Sequence, residues 1–171
     1  WINEDPLREV VYRLVARAYE LTFGTDRALE ILERGRAEIG GSALALDIGD
    51  ILAAAGDLGG AVDEWADAIG PNGSEAQTVQ ARIENLGEAG QGAARRLVGI
   101  LGEAVESLRL GAAARIAVEL ELMPEALELT ERYADGLRGR ARTSFLEDIA
   151  RMAGDSELAE VSTWSYGELR E

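Results

Sequence analysis

Apolar residues recur along this chain at helical spacing, in runs that follow a turn marked by glycine or proline. Five of these runs place an alanine shortly after the turn, and the alanines are separated by 33, 33, 32 and 33 residues. They are Ala28, Ala61, Ala94, Ala126 and Ala159. After the alanine, residues such as Leu29 and Leu32 continue an apolar stripe along one helix face. A period of this length indicates a repeat protein in which each unit is a pair of helices.

The turns explain where the helices should end and begin. Four glycines stand where a left-handed residue would close a helix, a conformation that glycine adopts without a steric penalty. They are Gly24, Gly56, Gly90 and Gly154. Asp26, Asp57 and Asp155 follow these turns, where a carboxylate can cap the next helix. Pro124 is suited to the first turn of a helix in the fourth repeat.

The pattern predicts about ten helices, two in each repeat, with short connections between them. The predicted helices are 6–22, 25–39, 43–55, 58–69, 75–89, 91–106, 109–122, 124–137, 140–153 and 155–169. No stretch shows the alternation or the hairpin turns of β-strands, so the fold class is all-α. We expect one domain, 1–171, with repeats at about 6–40, 41–73, 74–107, 108–138 and 139–171.

Two repeats resemble the tetratricopeptide repeat family. The second repeat carries the resemblance best, through Ile48-Gly49, Leu52, Gly56-Asp57, Ala61, Trp65 and Ala68, and the first carries Val15-Ala16, Tyr19, Ala28, Leu32 and Gly35 in the same order. The other three keep the turn and the alanine. The resemblance implies a right-handed α-solenoid of antiparallel helix pairs, and a concave surface that binds proteins.

The amino-acid composition excludes several kinds of catalytic and binding chemistry. The 171 residues include no Cys and no His, and all 17 basic residues are arginines, which excludes disulfides, imidazole catalysis and lysine chemistry. We therefore expect no catalytic residue, no metal site and no cofactor. The net charge of −15 disfavours nucleic acid as a partner, and no apolar run is long enough to span a membrane. Because the chain starts at Trp1 without Met, a processed or secreted form is one expectation, and the compartment stays open.

The resemblance also implies that the first helix of each pair lines a groove for a protein or peptide. The candidate groove residues are Arg13, Arg17, Leu46, Asp50, Val79, Ile83, Leu86 and Arg115. For the apolar members near the middle of the chain there is an alternative interpretation, namely that they are ordinary core between helices. Both interpretations are open at this point.

The two ends of the chain carry aromatic and basic residues that suggest a second kind of contact. The candidates for an end-to-end interface are Trp1, Ile2, Arg138, Arg140, Arg142, Trp164, Tyr166 and Leu169. An exposed aromatic end is typical of a surface that stacks on something. That surface could be covered by another copy, by further repeats of a longer array, or by the chain itself. The arginines could equally be solvated side chains.

Two functions follow from these patterns. The first is a non-enzymatic scaffold that binds a peptide or protein segment on its concave face. The alternative is a structural subunit that self-assembles end to end into a homopolymer or filament. The location of the exposed apolar surface distinguishes them, since the first needs it in the groove and the second needs it at the ends.

Overall fold

A computed structural model describes residues 8–104, 107–156 and 158–170. Within these ranges the chain is all-helical, with ten α-helices, one short 3₁₀ turn at Gly87–Ala89 and no strand. The helices are α1 (Glu9–Phe23), α2 (Thr25–Ile39), α3 (Ala45–Ala54), α4 (Leu58–Ala68), α5 (Ala76–Glu84), α6 (Gly90–Gly102), α7 (Ser107–Glu119), α8 (Glu125–Gly136), α9 (Gly139–Asp155) and α10 (Ala159–Glu168). None of these described helices is both long enough and apolar enough to cross a bilayer.

The described residues form two compact units, divided between Gly70 and Pro71. Unit 1 holds α1 to α4, in which α1 packs on α2, α2 on α3, and α3 on α4. Unit 2 holds α5 to α10, in which each helix packs on the next, α7 also packs on α9, and α8 on α10. The division lies three residues before the boundary expected between the second and third repeats, 41–73 and 74–107.

The repeat alanines occupy the interior of the helix pairs in four of five cases. Ala28, Ala61, Ala94 and Ala126 are fully buried, as the spacing predicts. Ala159 is exposed, and the neighbouring Leu158 is buried in its place. The fifth prediction is therefore wrong by one residue, since the buried interior position is taken by the larger Leu158, immediately before α10.

Two of the four predicted helix-ending glycines are confirmed. Gly24 and Gly56 have φ values of 90° and 89°, in the left-handed region that favours glycine. Gly90 instead opens α6 with a φ of −60°, since the chain leaves α5 earlier and turns at Gly87. Gly154 lies inside α9, so its prediction is also wrong.

The predicted aspartate caps have different outcomes. Asp57 caps α4, where its Oδ1 accepts a hydrogen bond of 2.9 Å from the Gly60 amide. Asp26 lies in the first turn of α2, which is capped by Gly24 and not by a side chain. Asp155 ends α9 and so faces the negative end of a helix, contrary to the prediction.

A glycine faces a large aromatic ring within three of the helix pairs. A Cβ added to Gly49 of α3 would lie 2.5 Å from Cδ1 and Nε1 of Trp65 on α4. A Cβ on Gly35 would lie 2.6 Å from Cγ of Tyr12, and one on Gly111 would lie 2.6 Å from Cζ of Tyr133. Since such distances are too short for real atoms, the two helices can approach this closely only because the glycine has no side chain.

An arginine joins successive helix pairs of unit 1. The Arg36 guanidinium on α2 makes two hydrogen bonds to the carboxylate of Glu64 on α4, and its Nε donates to the carbonyl oxygen of Ala43 at 3.2 Å. The hydrogen bond to Glu64 raises the pKa of Arg36 above its usual value, so the guanidinium stays charged. Two parallel hydrogen bonds fix both the distance and the orientation of the two helices.

We predict that Gly49→Ala destabilises unit 1 by about 1–3 kcal/mol, because the new methyl group must displace the buried Trp65 ring. Gly59→Ala is the matched control, since its Cβ would meet only Asp57 Oδ1 at 3.7 Å. The control should change the free energy of unfolding by about 1 kcal/mol or less. Chemical denaturation followed by circular dichroism measures both. Equal stability of Gly49→Ala and the parent chain would show that the ring does not limit the helix approach.

Candidate functional site

The best candidate site in unit 1 is a groove lined by α1 and α3. It has a volume of about 400 Å³, and Leu32 of α2 contributes to its lining. The other lining residues are Val10, Arg13, Leu14, Ala16, Arg17, Glu20, Asp47, Asp50 and Ile51. Three of the residues predicted for a binding groove are therefore brought together in this α1/α3 groove. They are Arg13, Arg17 and Asp50.

Arg13 spans the α1/α3 groove. Its Nε donates to Asp47 Oδ2 on α3 at 2.7 Å, and its Nη2 donates to Glu9 Oε2 one turn away on α1 at 2.7 Å. The hydrogen bond to Asp47 raises the pKa of Arg13 above its usual value, so the guanidinium stays charged. This ion pair fixes the two walls relative to each other, although solvent reaches both groups and weakens it.

Asp50 is positioned from beneath by a buried side chain. Trp65 is almost fully buried in α4, and its Nε1 donates to Asp50 Oδ1 at 3.1 Å. A buried indole N–H needs an acceptor, so the Asp50 carboxylate satisfies the tryptophan while remaining at the surface. Asp50 therefore combines a structural role with a place in the groove.

The apolar wall of the groove was not predicted from the sequence. Val10 and Leu14 are large apolar residues exposed on α1, and Leu14 is 56% exposed. Tyr12 and Ala16 fill the buried face of the same helix, so α1 carries a second apolar face in addition to the one that packs. The signal was present as more apolar residues than one buried stripe requires.

Arg17 and Glu20 complete the groove as charged groups. Both are exposed, and within the part of the chain that the structure describes neither takes part in an ion pair or a side-chain hydrogen bond. They differ from Arg13, whose charge is already compensated by two carboxylates. The groove thus offers a partner an apolar wall and two uncompensated charges of opposite sign.

Arg115 lies in unit 2, in a separate depression of about 480 Å³. That depression is lined mainly by polar residues before and within α5, and by Leu108, Ala112, Ile116 and Glu119 of α7. The Arg115 guanidinium carbon stands 5.3 Å from the centre of the Phe145 ring, which is within the range of a cation–π contact. This contact gives Arg115 a packing role in addition to its predicted place in a groove.

The apolar groove candidates in the middle of the chain require a correction. Val79 and Ile83 are buried to 1% exposure or less, so they cannot meet a partner and belong to the core of unit 2. The core alternative is therefore right for both. Leu46 and Leu86 are partly buried, which leaves only part of each side chain at the surface.

The candidate residues for the end-to-end interface also differ in how exposed they are. Trp1 and Ile2 lie outside the described residues. Trp164 and Leu169 are partly buried, whereas Tyr166 is 51% exposed.

The three arginines near the start of α9 do not form one free cluster. Arg142 pairs with Glu168 of α10, and Arg138 donates to the carbonyl oxygens of Asp135 and Leu137. Arg140 is exposed. Of the three, two are engaged within their own unit, which favours the interpretation of them as local contacts.

Comparison with known proteins finds no match to this chain. No family model matches the chain, and no match is found among curated proteins or among solved structures. Within the described ranges, no group of acidic side chains is arranged to hold a metal ion. The function has to be argued from the surfaces of the chain itself.

We predict a coupling energy of about 0.2–1 kcal/mol between Arg13 and Asp47, because both groups stay partly in solvent. The measurement is a double-mutant cycle of Arg13→Ala and Asp47→Ala by chemical denaturation, and the coupling should decrease with added salt. Arg17→Ala combined with Asp47→Ala is the control, and these two changes should be additive. A coupling that does not respond to salt would contradict the solvent-exposed bridge.

Proposed function

We propose that this protein is a non-enzymatic binding module that holds a segment of another protein in the α1/α3 groove. The observation that carries the proposal is the exposed apolar wall of Val10 and Leu14 beside the uncompensated charge of Arg17. Soluble proteins seldom leave neighbouring large apolar side chains exposed along one groove unless a partner covers them. The partner segment is expected to supply apolar side chains for this wall and a carboxylate for Arg17.

The energetics of such a site are favourable. Covering an exposed Leu or Val side chain contributes up to about 1.5–3 kcal/mol, so two of them can anchor a short segment. The bridge from Arg13 to Asp47 holds the walls in place before the partner arrives. A preformed groove reduces the entropy cost of binding.

Charge would set the selectivity of the groove. The chain carries a net charge of −15, so an acidic partner is repelled at long range and needs a local cation. Arg17 supplies that cation, and its planar guanidinium can bind a carboxylate through two hydrogen bonds. Glu20, one turn further along α1, would in turn favour a basic residue at the adjacent position of the segment.

The tetratricopeptide architecture belongs to the same proposal. The buried alanines of four helix pairs, the glycine turn at Gly56 and the cap by Asp57 support it. A right-handed solenoid of antiparallel pairs is the arrangement that we propose for the five repeats. The lack of His, Cys and Lys supports a binding role over a catalytic one.

A displayed peptide library selected against the 171-residue chain tests the groove. We expect the selected peptides to combine apolar residues with an acidic residue. Leu14→Ser should weaken their binding by roughly tenfold or more, because it removes an apolar anchor, and Arg17→Glu should do the same by repelling the carboxylate. Fluorescence anisotropy with labelled peptides measures the change.

Leu21→Ser is the matched control for this experiment. Leu21 lies on the same helix and is 83% exposed, but it does not line the α1/α3 groove. Binding should therefore survive this change. Peptides whose affinity is unaffected by both Leu14→Ser and Arg17→Glu would show that the groove is not the binding site.

A further inference from the structure

One contact between successive helix pairs in each unit follows the same rule. The rule becomes visible when each pair is numbered from the buried residue at the start of its second helix, which we term the reference residue. The reference residues are Ala28, Ala61, Ala94, Ala126 and Leu158. In pairs one and three, the contact with the following pair involves the residue eight positions after the reference residue, which we term the trailing position.

Two contacts in different units establish the rule. Arg36 is at the trailing position of pair one, and it binds Glu64, which is three positions after the reference residue of pair two. Gly102 is at the trailing position of pair three, and a Cβ on it would lie 3.0 Å from Cδ2 of Leu129. Leu129 is again three positions after its reference residue. The trailing position thus meets the third position of the next pair, whatever the chemistry of the side chains.

A hydrogen bond reinforces the contact between pairs three and four. Arg132, six positions after the reference residue of pair four, donates from Nη2 to the Gly102 carbonyl oxygen at 2.9 Å. Gly102 is the last residue of α6, where a carbonyl has no donor from its own helix. The sixth position of pair four therefore caps the end of pair three.

The last pair leaves its trailing position uncovered. Tyr166 occupies this position and is 51% exposed, whereas Ala134, at the same position of pair four, is fully buried. Tyr166 also lies in the last turn of α10, like Gly102 in α6. A large aromatic residue is therefore exposed at the trailing position of pair five.

The first pair carries the complementary residue types at its third and sixth positions. Ile31 and Arg34 are at its third and sixth positions, where pair four has Leu129 and Arg132. Ile31 is partly buried, and Arg34 is exposed with no ion pair or side-chain hydrogen bond to a described residue. Both residue types match their counterparts, an aliphatic side chain followed by an arginine.

The first helix of pair one also carries an exposed residue at a position that is buried in unit 2. Tyr19 stands nine positions before its reference residue and is 39% exposed. Ala117 and Ile149 stand at the same position of α7 and α9, and both are fully buried. In unit 2 these helices have a preceding pair to pack against.

We propose that a second copy of this chain covers these surfaces head to tail. Tyr166 of one copy packs on Ile31 of the next, and Arg34 of that next copy donates to the Tyr166 carbonyl oxygen. This contact repeats between copies the interaction that Gly102 makes with Leu129 and Arg132. It is heterologous, because two different surfaces meet, so it generates a ring or a filament. It uses a surface other than the α1/α3 groove and does not depend on the proposed function.

Light scattering on the purified 171-residue chain across a concentration series tests the proposal. The average mass should at least double over the series, and Tyr166→Ser or Arg34→Glu should return it to that of a monomer. Leu108→Ser is the control for the first variant, since Leu108 is equally exposed, at 51%. Arg151→Glu is the control for the second, as it reverses another exposed arginine. Circular dichroism confirms that each variant is folded.

Mixing the two blocked variants identifies the geometry of the contact. Tyr166→Ser retains an intact Arg34 surface, and Arg34→Glu retains an intact Tyr166 surface. A head-to-tail contact predicts that the mixture forms a 1:1 dimer and grows no further, although each variant alone is monomeric. A mixture that stays monomeric while the parent assembles would overturn the proposal.

A covalent test does not depend on the stability of the assembly. The chain has no cysteine, so introduced thiols can react only with each other. Tyr166→Cys mixed with Ile31→Cys should give a disulfide-linked heterodimer under mild oxidation, and Tyr166→Cys mixed with Leu108→Cys should give much less. Equal yields from the two mixtures, or a parent chain that is monomeric at every concentration, would reject the second copy as the occupant.

Discussion

The contact between a glycine and an aromatic ring sets the distance between paired helices in three of the helix pairs of this protein. Gly49 under Trp65 is the clearest case, because even one methyl group there would overlap the indole ring. The ring is almost fully buried, and the glycine allows the two backbones to approach. A buried tryptophan also needs an acceptor for its N–H, which Asp50 provides at the surface. Packing in the interior therefore determines the position of one groove residue.

Surface arginines extend this arrangement from single pairs to neighbouring ones. Arg36 connects α2 to α4 through Glu64, and Arg13 connects α1 to α3 through Asp47. In both cases a long side chain reaches from one pair to the next, and the planar guanidinium fixes the orientation. An apolar core shared by α1, α2 and α3 already joins the two pairs of unit 1, and the two ion pairs reinforce it at the surface.

Much of the fold could be predicted from the sequence, because the repeat period places small residues at the buried positions between paired helices. Ten helices were expected and ten are described, and the alanines of the first four repeats are buried. The prediction failed where a turn departs from the common pattern. Gly90 and Gly154 have the composition of a helix end but lie inside helices, since neighbouring residues make the turn. A glycine permits a left-handed turn without requiring one.

The candidate site was predicted less completely, for a related reason. Helical spacing shows which residues share a face, but it does not show which of two apolar faces is covered. Val79 and Ile83 were compatible with a groove and are core, whereas Leu14 is exposed on a helix whose other face supplies Tyr12 to the core. Only the positions of the neighbouring helices decide between these outcomes. Ion pairs between helices, such as that of Arg13, depend on the same positions.

The glycine–aromatic contacts also have an evolutionary consequence. Replacing Tyr133 by a small residue would leave a cavity over Gly111, and replacing Gly111 first would force the ring away from the helix. Each partner is therefore tolerated only in the presence of the other, and a stable change of this contact requires two substitutions close together in time. Related sequences should retain such a pair or exchange both members. Covariation between the two positions would then trace the helix pairing even where the repeat motif itself has been lost.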